Sequence, residues 1–130
     1  MDEFNLIKNY FQKLTKDNPA ALKLNDDVFF DKKNKVVLSV DTYNEKVHYI
    51  DFKKPGLLIK KLIRSSISDL ICKGVKPKYI FISGSGNQKH FNKKNLSLIS
   101  KSINEEQKKY NIKLSGGDTT KSKYSSFTIV

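Results

Sequence analysis

The sequence contains a single cysteine and no tryptophan, and no apolar run in it approaches membrane-spanning length. One cysteine excludes an internal disulfide framework, and Cys72 lies in a helical pattern, so we expect it in the core. One cysteine and two histidines without metal-ligand spacing argue against structural zinc. The first residues carry acids where a signal peptide carries basic residues. We therefore expect a cytoplasmic protein with no membrane contact.

Arginine is almost absent, although the net charge is +12. Arg64 is the only arginine, whereas arginine dominates the recognition of bases and phosphates in nucleic-acid complexes. The lysines are scattered, with no basic tail and no single basic helix face. Nucleic-acid binding is therefore not expected as the primary function. A basic surface also suits a protein that handles phosphate anions.

The 130 residues fit one domain with a modest core. Its clearest strand is predicted over Lys35–Val40, a nearly continuous run of β-branched and aliphatic residues that indicates burial on both faces. The run stops on Asp41, and His48 follows seven residues later. A strand that ends on an acid, followed by a loop that carries an imidazole, is a common way to assemble a site. The alternative is that Asp41 only caps the strand and starts a turn with Asn44.

Helical and extended patterns alternate along the rest of the chain, which indicates a mixed α/β fold. Helices are predicted from Glu3 to Leu14 with Asp2 as N-cap, from Pro55 to a stop at Gly74, and from Asn95 to Tyr110. The other strands are predicted over Val28–Phe30, which forms a hairpin with Lys35–Val40, and over Lys78–Ser83, Ile112–Leu114 and Tyr124–Val130. Turns or loops are predicted over Gly84–Asn87 and Ser115–Thr120.

Four acidic residues lie at element ends or beside polar stretches, where scattered surface acids would not usually fall. They are Asp27 before a strand, Asp41 after one, Asp69 among helix serines, and Asp118 in a glycine loop. Mg²⁺ takes oxygen ligands from a few carboxylates and leaves positions for water and phosphates. Phosphoryl transfer needs such charge neutralisation. The glycine pair before Asp118 would let backbone N–H groups approach an anion.

Several common catalytic motifs are missing. The segment GSGNQK at 84–89 lacks the full phosphate-loop pattern and the helix start that should follow it. No Gly-x-Ser-x-Gly or comparable nucleophile motif is present. The motifs therefore predict no covalent nucleophile.

The order and spacing of several blocks resemble the N-terminal half of the thiamine-monophosphate kinase family. The blocks are FNLIKNYF, NDDV, VVLSVDTYNEKVHY, SISDLICKGVKPKYIFIS and LSGGDTTKS, and they span essentially the whole chain. This family belongs to the superfamily of aminoimidazole ribonucleotide synthetase, selenophosphate synthetase and a hydrogenase maturation factor. The segment with Asp41, Glu45, Val47 and His48 points to the thiamine-phosphate branch.

The resemblance implies site residues. His48 would lie in the thiamine-monophosphate pocket, and Gly116 and Gly117 would approach ATP, with Asp118 contributing at the nucleotide and the metal. No general base or nucleophile is implied, since the acceptor is already an oxyanion. The carboxylates that would bind Mg²⁺ are Asp27, Asp41, Asp69 and Asp118.

The resemblance also implies the fold and the reaction. The fold would be α+β, a four-stranded sheet flanked by helices, whose strands pair across a homodimer into a shared barrel. The γ-phosphoryl group of ATP would pass directly to thiamine monophosphate, giving thiamine diphosphate. Residues 1–130 would form the Mg-ATP and dimerisation domain of the kinase. The family's C-terminal domain is absent from this chain, so we expect the 130 residues alone to turn over poorly or not at all.

Four positions depart from the family pattern: Asn25, Val40, Lys46 and Ser66. Lys46 stands where the family has glycine, and Val40 removes a hydroxyl beside the metal-binding Asp41. The alternatives are a sister ATP-using synthetase or a non-catalytic dimerisation or nucleic-acid-binding module. Selenophosphate synthetase is disfavoured, because it would need a reactive cysteine in a glycine-rich N-terminal segment and Cys72 lies in a helix.

Overall fold

A computed structural model describes residues 2–130, which form two compact units divided after Ser39. The first unit is helical at its start and ends in a β-hairpin. The second, Val40–Val130, contains a four-stranded sheet and two long helices. Among the described residues, no helix combines the length and apolar character needed to cross a membrane.

The first unit begins with a short helix, α1 (Glu3–Leu6), whose N-cap is Asp2. The Asn5 backbone N–H donates to Asp2 Oδ1 at 2.9 Å, so the predicted cap is confirmed. The helix continues irregularly, as π-helix over Ile7–Phe11 and 3₁₀-helix over Gln12–Thr15. No residue of these three segments is buried within the described structure. Little packing therefore supports a regular helix here, since most helical stability in proteins comes from packing.

Two antiparallel strands, β1 (Val28–Asp31) and β2 (Val36–Ser39), complete the first unit and confirm the predicted hairpin. The Asp31 carboxylate accepts from the Asn34 backbone and side chain, which lowers the pKa of Asp31. Within a single chain, the prediction that Lys35–Val40 is buried on both faces is wrong. Val36 and Leu38 remain about two-fifths exposed, because a two-stranded ribbon does not cover both of its own faces.

The second unit is built on a sheet in the order β3–β6–β4–β5, and this confirms the predicted four-stranded sheet flanked by helices. The β4–β5 pair is parallel, while β6 runs antiparallel to both β3 and β4. The parallel pair needs a crossover, which α3 supplies. The strands are β3 (Asp41–Asn44), β4 (Tyr79–Gly86), β5 (Lys113–Lys121) and β6 (Ser126–Ile129).

Two helices, α2 (Pro55–Cys72) and α3 (Lys93–Tyr110), pack against each other and close the core. Pro55 opens α2, and Gly74 at φ +75° follows its end, as predicted. Asn111 ends α3 in the left-handed conformation. The buried apolar residues that form the core are Tyr49, Leu58, Ile59, Leu62, Ile63, Ile67, Ile80, Ile99, Ile112, Phe127 and Ile129.

The single arginine joins the two helices. Glu106 on α3 is 1% exposed, and Arg64 on α2 donates to both of its oxygens at 2.8 and 3.0 Å. This bidentate pair satisfies a carboxylate that the packing removes from water. Arg64 therefore serves the helix interface.

The sequence predictions for Cys72 and for two glycine-containing segments of the second unit are wrong. Cys72 is exposed, because it lies on the last turn of α2, beyond the buried stretch that ends at Ile67. Gly84–Gly86 continues β4, and Ser115–Thr120 lies inside β5, where a turn and a glycine loop were predicted. The two strands pair in parallel as far as Gly86 and Lys121, and this pairing extends both of them through their glycines.

Candidate functional site

Two of the predicted acids lie near a partly buried pair of hydroxyls, one on β3 and the other on α2. Asp41 begins β3 and is half-buried, and Tyr43 lies two residues on, on the same face of the sheet. Tyr43 Oη lies 2.9 Å from Ser66 Oγ on α2. Asp69, three residues after Ser66, is half-buried on the same side of that helix. We call these four residues the Tyr43 cluster.

The charges of both carboxylates act on one hydroxyl of the Tyr43 cluster. Burial raises the pKa of Tyr43, and the negative charges of Asp41 and Asp69 raise it further, against a lowering by the Ser66 hydrogen bond. Each carboxylate charge is thus felt at the same Tyr43 oxygen. The cluster combines two half-buried carboxylates with hydroxyl groups, which are ligands suited to a hard divalent cation.

Asp41 starts a strand, whereas the sequence predicted that it ends one. β2 ends at Ser39, and β3 runs from Asp41 to Asn44, paired with β6. The alternative, in which Asp41 starts a turn with Asn44, is wrong for the same reason, since Asn44 closes β3. Pairing with β6 requires this extended conformation.

His48 lies on an exposed turn next to the cluster. Its Nδ1 accepts from the Asn44 backbone N–H at 2.8 Å, and its ring meets the Tyr43 ring edge-on at 5.7 Å. A neutral imidazole whose Nδ1 accepts carries its proton on Nε2. The turn therefore presents His48 with Nε2–H as a donor, beside the Tyr43 cluster.

The same turn holds Lys46 at φ +67°, in the left-handed region. This explains why the resembled family has glycine at the position, because a residue with a Cβ is strained there by about 1–2 kcal/mol. We expect Lys46→Gly to stabilise the chain by roughly 0.5–1 kcal/mol, after the larger backbone entropy of glycine in the unfolded state is subtracted. Urea unfolding would measure this change.

The control is Lys61→Gly, an exposed position in the middle of α2. The same substitution there should destabilise by about 1 kcal/mol, because glycine is a poor helix former. Equal losses at both positions would contradict the argument from backbone strain at Lys46.

Asp118 is exposed and lies in β5, on the face of the sheet opposite to Asp41. The strand register places Asp118 in one row across the sheet with Ser83, Thr128 and Thr42. The Oγ1 atoms of Thr42 and Thr128 lie 2.9 Å apart, as expected for neighbours in that row. The row of Asp41 is one residue away along the strands, with its side chains on the helix-covered face. Within one chain, the structure does not bring Asp118 to the Tyr43 cluster.

The pairing of β5 with β4 explains why the two predicted positions, Gly116 and Gly117, are glycines. A Cβ on Gly117 would come within 1.8 Å of the Ile82 carbonyl oxygen, and one on Gly116 within 3.1 Å of the Phe81 ring. Gly117 thus permits the β4–β5 contact whether or not a ligand binds. Both glycines also line a cleft of about 900 Å³ between β5 and α3, with Leu96 on the helix side.

The remaining predicted acid, Asp27, lies in the first unit. It is exposed and occupies a bend just before β1. Over residues 2–130, no three or more His, Cys, Asp or Glu side chains are grouped so that they could hold a metal ion. The cluster of Asp41 and Asp69 is therefore a two-carboxylate arrangement.

Sequence reasoning missed Tyr43, His90 and the pairing of His90 with Glu45. The alternation of side chains along a strand could have placed Tyr43 on the same face as Asp41, since residues two apart share a face. His90 lies in a polar stretch after β4, and its local sequence carries no sign that it is buried. Its partner is distant in sequence, so only the fold reveals the pair.

Several relatives are similar over nearly the whole chain. Thiamine-monophosphate kinase of Haemophilus influenzae is 32% identical, over 93% of this chain and 38% of its own length. Thiamine-monophosphate kinase of Bacillus subtilis is 28% identical, over 92% of this chain and 38% of its own length. The chain thus spans less than two-fifths of the length of these curated relatives.

Solved structures show the same fold. AaThiL complexed with AMPPCP and TMP matches with a TM-score of 0.80 at 23% identity, over 98% of this chain and 40% of that one. Thiamine-monophosphate kinase from Stenotrophomonas maltophilia matches with a TM-score of 0.62 at 19% identity, over 93% of this chain and 41% of that one.

The sequence also matches a protein family. The family model of the AIR synthase related protein, N-terminal domain, matches residues 16–130. Because this match covers most of the sequence, the chain belongs to the AIR synthase related protein family and carries its N-terminal domain.

Proposed function

We propose that this chain is part of an ATP-dependent thiamine-monophosphate kinase, which transfers the γ-phosphoryl group of ATP to thiamine monophosphate and forms thiamine diphosphate. One observation carries the proposal. Five relatives that are 27–32% identical, over 85–93% of this chain, are all named thiamine-monophosphate kinase. The AaThiL structure of the same fold holds AMPPCP, an ATP analogue, together with TMP.

The Tyr43 cluster supports a magnesium site. Mg²⁺ in phosphoryl-transfer enzymes is commonly held by one or two carboxylates plus substrate phosphates, so Asp41 and Asp69 fit as a donor set. When bound, the ion would neutralise charge on the phosphates. Asp27 and Asp118 are further metal ligands that the family resemblance assigns, and they stay predictions.

His48 would contact the acceptor. Its Nε2–H is available as a donor because Nδ1 is already bonded to the Asn44 backbone. A phosphate oxyanion needs such donors, and as nucleophile it needs no strong general base. Gly116 and Gly117 would let the nucleotide approach the backbone of β5. Alignment and charge neutralisation would then supply the rate enhancement.

A second copy of the chain would cover the open side of the sheet. β5 is an edge strand whose nine residues are all exposed, and Tyr79 and Phe81 are large exposed side chains on β4. Exposed edges and apolar faces are usually covered in stable proteins. We therefore propose a homodimer, and light scattering that found a well-folded monomer would rule it out.

The proposed reaction is tested by a Mg²⁺- and ATP-dependent assay that follows conversion of thiamine monophosphate to thiamine diphosphate. The protein should be prepared at the natural length of the gene product, since the relatives are much longer than this chain. We expect turnover there, and poor or no turnover from the 130 residues alone. A folded wild-type protein of natural length that forms no thiamine diphosphate would contradict the proposal.

A further inference from the structure

A buried carboxylate–imidazole pair lies beneath the turn that carries His48. The side chains of Glu45 and His90 are each 9% exposed, and Glu45 Oε1 lies 3.3 Å from His90 Nε2. The other oxygen, Glu45 Oε2, accepts from the Ser125 backbone N–H at 3.2 Å. Both carboxylate oxygens are therefore hydrogen-bonded inside the protein, as burial of a charge demands.

The hydrogen bonds of His90 assign its tautomer. Its Nδ1 accepts from the Asn87 backbone N–H at 3.1 Å, so the proton of the neutral ring lies on Nε2 and is donated to Glu45. The ring is held further by an edge-on contact with Phe52, at 5.2 Å between centroids. His90 thus serves as a fixed donor to Glu45 without needing a positive charge.

Ser125, which directly precedes β6, forms hydrogen bonds with Glu45 and Tyr49, the residues at the two ends of the turn. The Glu45 N–H donates to the Ser125 carbonyl at 2.9 Å, and Tyr49 Oη lies 2.6 Å from Ser125 Oγ. Glu45 and Tyr49 also form a bridge, through the Lys46 N–H and the Tyr49 carbonyl. Between these anchors the chain is exposed and includes His48. The position of His48 therefore depends on how firmly the two ends are held.

We infer that His90, acting through Glu45, is a positioning residue for His48. Without the His90 donor, the Glu45 carboxylate would be buried with one oxygen unsatisfied, which is more costly than losing an ordinary hydrogen bond. The carboxylate would move toward water and carry the adjacent turn with it. The Asn44 N–H, one residue away, would then no longer hold His48 Nδ1. The consequence for catalysis rests on the proposed function, whereas the positioning itself does not.

The first test is nitrogen NMR of the imidazoles in the whole 130-residue chain. In wild type we expect His48 mainly as the Nε2–H tautomer. His90→Phe should shift His48 toward a mixture of tautomers, while His90→Gln, which keeps a side-chain N–H donor, should restore the wild-type signal. An unchanged His48 spectrum in folded His90→Phe would overturn the inference.

The second test is kinetic and uses the protein at its natural length. We expect His90→Phe to raise the KM for thiamine monophosphate roughly ten-fold, the effect of losing a hydrogen bond to a charged group, with kcat and the KM for ATP little changed. The control is Leu58→Ala, which opens a cavity in the core and removes none of the hydrogen bonds of this network. Equal changes in both KM values, or the same profile in Leu58→Ala, would overturn it.

Glu45→Gln keeps the test decisive if His90→Phe fails to fold. His90 and the Ser125 N–H face different oxygens of Glu45, and in a carboxamide one of those two atoms becomes an NH2 group that cannot accept, so in this geometry one of the two bonds is lost. The same shift in His48 is expected, and its absence would again overturn the inference. If the wild type lacks kinase activity, the proposed function fails, and the NMR comparison still decides the positioning of His48.

Discussion

Replacing Asp41 by asparagine is expected to lower thiamine-monophosphate kinase turnover at least about 100-fold in the protein of natural length. The substitution keeps the size of the side chain and removes the charge that would help to hold Mg²⁺ at the Tyr43 cluster. Loss of one preorganised electrostatic group at a phosphoryl-transfer site commonly costs ~3 kcal/mol of transition-state stabilisation, which corresponds to this factor. The assay is formation of thiamine diphosphate at saturating ATP.

Two companion variants sharpen the Asp41 experiment. Asp69→Asn should cause a loss of similar size, because both carboxylates act on the same Tyr43 hydroxyl and would share the same ion. Asp17→Asn, which removes an exposed acid in the first unit, should leave turnover within about two-fold. Full activity in Asp41→Asn would exclude the Tyr43 cluster as the metal site.

Truncating Ile63 to alanine should destabilise the chain by about 2–5 kcal/mol. Ile63 lies on α2 with 0% of its surface exposed, so its removal leaves a cavity in the core as well as losing apolar burial. A small unit has little stability in reserve, and such a loss is a large fraction of the total. Urea unfolding followed by circular dichroism would measure it as a lower midpoint.

The matched control for Ile63 is Ile71→Ala, the same substitution on the same helix. Ile71 is 52% exposed, so little burial is lost, and alanine favours the helix slightly. We expect a change within about 0.5 kcal/mol. Comparable losses at the two positions would mean that α2 does not face the core as described.

Two departures from the family pattern acquire a physical explanation in the fold. Ser66 stands where the resembled family has asparagine, and its hydroxyl meets Tyr43 at 2.9 Å, so it takes part in the cluster. Lys46 stands where the family has glycine and adopts the left-handed conformation that makes glycine preferable. The first departure keeps a polar group at the site, and the second places strain in the turn that presents His48.

Local signals predicted the two long helices well, whereas the helix predicted over Glu3–Leu14 is α-helical only over Glu3–Leu6. Pro55 and Gly74 bracket α2, Asn111 ends α3, and Asp2 caps the first helix, because each acts through its own backbone or through neighbours within one turn. The hairpin of β1 and β2 was predictable for the same reason. The order of the sequence blocks also predicted the family.

Only the tertiary structure decided the rest. The parallel pairing of β4 with β5 extends both strands through glycines whose local sequence predicts turns. Cys72 is exposed because the last turn of α2 extends beyond the core. Asp41 on β3 and Asp69 on α2 both raise the pKa of Tyr43, because the docking of α2 on the sheet brings Ser66 against Tyr43. The sequence alone thus determined which residues could carry the chemistry, since residue type is local. Which of them come together depends on strand pairing and helix docking between distant segments, and no local pattern records those contacts.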